Sequence, residues 1–235
     1  MNEAQQTLIE GRLREFYELR AAEEPARDPE ALLRFRKAIA AAGLRPGETV
    51  LDLGAKRGGL ASAITAAHLE VEYTGLDLSE ANVAAGTEAG LSFVRGNVTD
   101  ELPFGDGSFD CVFCLELLEH LTAPVDLLVE IRRVLTDSGR AVVSVPSPYS
   151  WVEVVRELLN RPDTEGHLNA FTTPVMNNLA ALAALRVDRR LGTSLRIPKT
   201  LRLIPTDSIL ARSRLYVLRP STEIVFAGRG TNWGT

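Results

Sequence analysis

The stretch VLDLGAKRGGLA, Val50 to Ala61, constrains this chain more than any other. A short apolar run ends in Asp52 and Gly54, Gly58 and Gly59 follow, and a helix-forming segment begins at Leu60. Glycine lets the backbone turn sharply and approach a ligand closely, and the first turn of a helix offers N–H groups with no partner inside the helix. Open α/β sheets hold nucleotides at such strand–turn–helix junctions. The loop reads G-A-K-R-G-G, with Lys56 where the dinucleotide fingerprint G-x-G-x-x-G has its second glycine. A left-handed backbone at a non-glycine residue costs about 1–3 kcal/mol. Micromolar binding is worth about 8 kcal/mol, so a site built here survives Lys56 even in the strained case.

Strand and helix signals alternate from this point. Short apolar runs at 48–53, 71–78, 91–96, 109–116 and 140–146 read as strands. Helical patterns lie between them at 60–69, 80–89 (weakened by Gly86) and 124–137, where a D-S-G turn ends the helix. The strands are apolar on both faces, as in a parallel sheet covered by helices. Upstream, 3–22 and 29–42 read as helices, the second capped by Asp28, opened by Pro29 and closed by Gly43. Downstream, 149–160 and 173–185 look helical, and 187–197 and 222–229 look like strands. The stretch 198–220 reads as an insertion without assignment. The expected organisation is an N-terminal helical cap or lid over 1–44 and one α/β domain over 45–235.

The chain has 235 residues and a formal net charge of −5, which gives no general basic footprint for nucleic acid. Nine basic against two acidic residues between Arg186 and Arg219 make one local exception. No apolar run reaches the ~18 residues of a membrane span, and the polar N-terminus lacks a secretory signal, so the cytoplasm is the expected compartment. Cys111 and Cys114 sit three apart on an expected strand, where side chains alternate faces, so they read as core rather than as a metal or redox pair. No Asp/Glu/His ligand set is evident, and no metal is expected.

Four features fall at the ends of successive strands: the glycine loop with Asp52, Asp77 with Leu78, Gly96-Asn97-Val98, and CLELLEHL with Glu116, Glu119 and His120. An acidic residue ending the second strand suits a ribose, and an amide after the third suits an adenine edge. Each alone has a plainer reading, as a turn, a helix cap or turn chemistry; their order is the informative part. VLDLGAKRGG, GLDLSEANV, GNVTDELPFGDGSFDCVFCLELLEHL and EIRRVLTDSGRAVVSVPSP resemble the class I S-adenosylmethionine-dependent methyltransferases, in the small-molecule branch that includes ubiquinone and menaquinone biosynthesis enzymes.

The resemblance covers about 45–150 and implies a Rossmann-like, doubly wound, seven-stranded sheet with the last strand antiparallel. It implies S-adenosylmethionine held by Asp52, Gly54, Ala55, Lys56, Gly58, Asp77, Leu78, Asn97, Val98 and Leu115, with methionine along the loop, ribose on Asp77 and adenine between Asn97 and Val98. His120 is the first candidate general base, His167 the second, and Tyr17 a third if the first helix is a lid. His120 has the structural alternative of capping or orienting the loop, and Tyr17 that of an amphipathic-helix anchor. The implied partner is a small-molecule methyl acceptor, and a homodimer is compatible with the chain. A nicotinamide dehydrogenase lacks its second loop glycine here, and no G-K-[ST] marks a P-loop. C-L-E-L stands where amino-methylating DNA enzymes carry N/D-P-P-Y/F, which disfavours nucleic acid. A non-catalytic domain of the same fold is the remaining alternative.

Overall fold

A computed structural model describes residues 29–163, 165–196 and 203–222, with residues 8, 11, 12 and 15. The strands are β1 (Thr49–Leu53), β2 (Glu72–Asp77), β3 (Ser92–Arg95), β4 (Phe109–Leu115), β5 (Leu135–Pro146), β6 (Leu185–Gly192), β7 (Ser194–Arg196), β8 (Leu203–Pro205) and β9 (Ser213–Pro220). The helices are α1 (Pro29–Ala42), α2 (Gly59–Ala66), α3 (Glu80–Glu88), α4 (Pro124–Val134), α5 (Trp151–Leu158) and α6 (Thr173–Leu182). Seven strands form one sheet in the order β3-β2-β1-β4-β5-β9-β6, and β7 pairs with β8 apart from it. β1 to β5 are mutually parallel, while β9 runs antiparallel between β5 and β6. The chain therefore winds outward through β2 and β3, crosses back, and winds the other way through β4 and β5. The switch point lies between β1 and β4, and its ligand crevice is at the carboxyl ends of the strands.

Alternation along each strand divides the core into two layers. Leu51, Leu53, Val112, Cys114 and Val143 pack with Leu127, Leu128 and Ile131 of α4 and Met176 of α6. Val50, Cys111, Phe113 and Val142 pack with Ala38 and Ile39 of α1 and Leu60 and Ile64 of α2. Cys111 and Cys114 thus lie on opposite faces, both free and buried, as strand alternation requires. Burial pushes the Cys111 thiol up to about 12.

Helix α1 belongs to this second layer. Arg140, only 5% exposed, donates to the carbonyls of Ala42 and Gly43 at the helix end and to the Glu48 carboxylate at 2.6 and 3.1 Å. One guanidinium satisfies carbonyls that a helix C-terminus leaves open. The part of the expected cap that is described, residues 29–44, is therefore one wall of the sheet's own core. The expected helix over 3–22 and the Asp28 cap lie outside the described residues, but for positions 8, 11, 12 and 15.

Two boundaries differ from those expected. Helix α4 stops at Val134 because Leu135 turns extended (ψ 137°) and pairs with Phe109. The register then shifts before Cys111 pairs with Arg140, so 136–139 form a polar bulge within β5 where the sequence suggests a turn after a helix. β8 and β9 lie within the stretch 198–220, which carried no assignment, and Leu215 to Leu218 of β9 are fully buried. The basic residues at both ends masked its apolar centre. Basic residues around β9 and on the neighbouring β6 are engaged within the fold: Arg186 and Arg219 with Asp188, Arg189 with the Ala41 carbonyl, Arg212 with Glu30 and Glu165, Arg214 with the Ser208 carbonyl. The strand expected at 222–229 falls outside the described residues except for Thr222.

Gly86 weakens α3 by propensity, but packing requires it. A Cβ there would lie 2.3 Å from the Phe93 ring. On propensity alone Gly86→Ala would stabilise by about 1 kcal/mol. Overpacking reverses the sign, and urea denaturation is expected to show a loss of about 1–3 kcal/mol.

Candidate active site

The glycine loop that follows β1 contains three left-handed residues: Gly54 (φ 70°), Lys56 (φ 50°) and Gly58 (φ 79°). Gly58 disfavours a side chain, since its backbone is left-handed and a Cβ would stand 2.4 Å from Leu91 Cδ1, which would have to shift. The N–H groups of Gly54 and Ala55 both donate to the Leu76 carbonyl, at 2.9 and 3.1 Å, which pins the loop onto the end of β2. Of the two cases the sequence leaves open for Lys56, the strained one holds. What holds it is Asp77: the Lys56 N–H donates to Asp77 Oδ2 at 2.8 Å.

Asp77 is 7% exposed. Its Oδ1 accepts from the Ser79 N–H at 2.9 Å and from Asn82 Nδ2 at 3.1 Å, which fixes the start of α3. Its own carbonyl accepts from Gly96 N–H at 3.1 Å, which joins the third corner. There, Asn97 Oδ1 accepts from the Thr99 N–H at 3.2 Å in a tight Asx turn, and Val98 packs against the core. Leu78 follows Asp77, and Leu115 ends β4 against the α1 layer. Asp52, Gly54, Ala55, Lys56, Gly58, Asp77, Leu78, Asn97, Val98 and Leu115 therefore share one edge, because β1 to β4 are parallel and all end there.

Asp52 is buried beneath this edge and accepts a hydrogen bond from the Tyr73 hydroxyl at 2.8 Å. Burial pushes its carboxyl up to about 7; the Tyr73 bond opposes the shift and the Asp77 charge adds to it.

The exit of β4 carries a second network. Glu116 adopts φ 52°. Its N–H reaches the Ser144 carbonyl at 3.0 Å, and its carboxylate accepts from Ser144 Oγ at 2.7 Å and Ser213 Oγ at 3.1 Å. Arg34 of α1 stands 3.8 Å away. A short 3-10 turn, Leu118–His120, follows. His120 and His167, read separately in the sequence, come together with ring centroids 5.0 Å apart. The Leu168 and Asn169 N–H groups donate to the Glu119 carbonyl at 2.7 and 3.1 Å and strap the His167 segment to the turn. Glu119 is 1% exposed; burial, with the Glu116 charge second, holds its carboxyl well above the usual range. Sequence spacing gave no sign of Ser144, Ser213 and Arg34, because no local pattern links β4, β5, β9 and α1. Tyr17 lies outside the described residues.

Residues 51–143 match the family profile described as a methyltransferase domain. The match covers less than half of the chain, and over it the chain is similar to that family. The matched segment runs from the middle of β1 to the middle of β5 and so contains the whole loop–Asp77–Asn97 edge. A demethylmenaquinone methyltransferase of Beutenbergia cavernae is 40% identical over 118 residues, 49% of this chain and 48% of that protein. A fatty-acid O-methyltransferase of Mycolicibacterium smegmatis is 36% identical over 122 residues, 49% of this chain and 44% of that protein. The chain thus spans about half the length of these curated relatives. A SAM-dependent methyltransferase structure from Thermotoga maritima superposes with a TM-score of 0.64 at 16% identity, over 81% of this chain and 92% of that one; it shares the fold.

Two expected outcomes follow from this edge. Lys56→Gly removes the left-handed penalty while keeping the N–H to Asp77, and thermal or urea unfolding should show a gain on the order of 1 kcal/mol. Asp52 has a folded value above its unfolded one, so its favourable contribution is present below about pH 4 and is lost as pH rises toward about 7. Asp52→Asn should therefore lose less stability than the parent between pH 4.5 and 7.5; parallel curves would contradict the assignment.

Proposed function

We propose that the protein is an S-adenosylmethionine-dependent methyltransferase that acts on a small molecule. One observation carries the proposal: the methyltransferase-domain match coincides with a preformed edge in which Asp77 joins the glycine loop, α3 and the Asn97 turn. The relatives' named acceptors, demethylmenaquinone and a fatty acid, support a small-molecule acceptor.

The residues suit the cofactor. A carboxylate offers about four acceptor sites; loop and helix use three of Asp77's, which leaves capacity for a ribose hydroxyl. The left-handed loop brings backbone close to the end of β1 without a side chain at Gly54 or Gly58, as the methionine end requires. Asn97 and Val98 flank the adenine position. S-adenosylmethionine supplies an activated sulfonium methyl for in-line displacement by the acceptor. The protein's task is then orientation, which can supply roughly 7–11 kcal/mol of the barrier. His120 and His167 stand at the β4 exit on the same edge, within reach of a proton that an acceptor must lose.

Calorimetric titration should show S-adenosylhomocysteine binding in the micromolar range. Asp77→Ala, which cuts the loop anchor and the ribose contact together, should weaken binding at least tenfold, and Asn97→Ala by less. Absence of binding to both S-adenosylmethionine and S-adenosylhomocysteine would overturn the proposal.

A further inference from the structure

Glu119 presents an unusual problem for a protein interior. Both carboxylate oxygens are buried and neither has a hydrogen-bond partner among the described residues. An ionised carboxylate without a partner costs several kcal/mol in such a place. Protonation alone gives the new O–H no acceptor within hydrogen-bond distance, since His120 Nε2 stands 3.9 Å from Oε1, and it leaves the other oxygen unpartnered. A cation bound at the carboxylate would balance its charge and give one oxygen a partner.

The surroundings supply the rest of a coordination set. Glu119, His120 and His167 each offer one ligand atom, and these lie within 4.8 Å of one another. His120 Nδ1 stands 3.2 Å from the Gly166 carbonyl oxygen. A carbonyl only accepts, so that bond places the proton on Nδ1 and the lone pair on Nε2. His167 Nδ1 stands 3.1 Å from Asp163 Oδ2, the carboxylate–histidine arrangement that orients a metal-ligating ring from behind. Asp163 is itself fixed by the N–H groups of Glu165 and His167, both at 2.9 Å. The segment that carries His167 is held to the turn by the two bonds to the Glu119 carbonyl and by Asn169 Nδ2 on the Leu121 carbonyl at 2.6 Å. Both rings have outer partners at Nδ1, and His167 Nε2 also lies 3.5 Å from Glu165 Oε2, a second carboxylate at the rim of the group.

We infer that Glu119, His120 and His167 form a binding site for a divalent transition-metal ion. Two nitrogens and one carboxylate oxygen suit Zn²⁺, Mn²⁺, Fe²⁺ or Co²⁺ better than Mg²⁺ or Ca²⁺, which prefer all-oxygen sets. With metal–ligand bonds of ~2.1 Å, ligand atoms on one ion stand roughly 3–4 Å apart, so a contraction of about 1 Å through side-chain rotations closes the set. Three protein ligands leave further coordination positions open. On the methyltransferase function proposed above, and only on it, an ion at the β4 exit would hold an acceptor by an oxygen lone pair and ease its loss of a proton.

The test is metal binding measured without cofactor, so that it stands apart from methyl transfer. Chelator-treated full-length protein is dialysed against Mn²⁺, Zn²⁺, Co²⁺ or Mg²⁺ and bound metal is quantified. One equivalent of a transition ion is expected, with Mg²⁺ weaker, and Co²⁺ should give ligand-field absorption bands. Glu119→Gln and His167→Ala should each weaken binding at least 100-fold, and Asp163→Asn by about 10–100-fold. S-adenosylhomocysteine binding and the circular dichroism spectrum of Glu119→Gln should match the parent and report an intact fold. No stoichiometric binding by the parent, or parent-like binding by a folded Glu119→Gln, would overturn the inference.

Discussion

The organisation of the candidate site depends on one carboxylate. Asp77 sits at the end of β2, 7% exposed, and accepts from three donors in two local structures, the glycine loop and the start of α3. The Lys56 bond holds a residue in a conformation that costs about 1–3 kcal/mol. The Ser79 and Asn82 bonds fix where α3 begins. The carbonyl of the same residue fixes Gly96. A carboxylate is suited to this role because bonds from N–H groups to a charged acceptor are each roughly twice as strong as neutral ones. The loop is thereby shaped before any ligand arrives, and less of the binding energy is spent on ordering it.

Four acidic residues lie near this edge, and their different partners give them different properties. Asp77 is satisfied by N–H donors and Glu116 by two serine hydroxyls with Arg34 nearby. Asp52 accepts from the Tyr73 phenol, and burial raises its carboxyl to about 7. Glu119 has no donor among the described residues. Parallel strands bring their ends together regardless of what charge they carry, so the surroundings must balance each acid separately. Where they do not, at Glu119, two histidines face the gap.

The candidate edge was legible because it is built from strand ends, and parallel strands joined by helices all end on the same side of the sheet. Gly54, Gly58 and Asp77 could be placed from spacing alone. The cysteines could be assigned to opposite faces from strand periodicity, and the two core layers bear this out. β9 and the bulge at 136–139 were not legible, since polar residues interrupt the apolar pattern in both. Gly86 was legible as a weak point in a helix, but its reason is the Phe93 ring from the neighbouring strand.

The sequence by itself determined the alternating α/β order, the covered parallel strands and the switch-point edge, because these follow from local periodicity and turn chemistry. Only the tertiary structure decided that Lys56 is left-handed, since that conformation is imposed by a carboxylate on another strand. It alone brought His167 beside Glu119 and His120, because backbone bonds between segments distant in sequence hold them there. Periodicity records which face of an element is buried. It does not record which distant group will meet that face, and the chemistry of this site lies in those meetings.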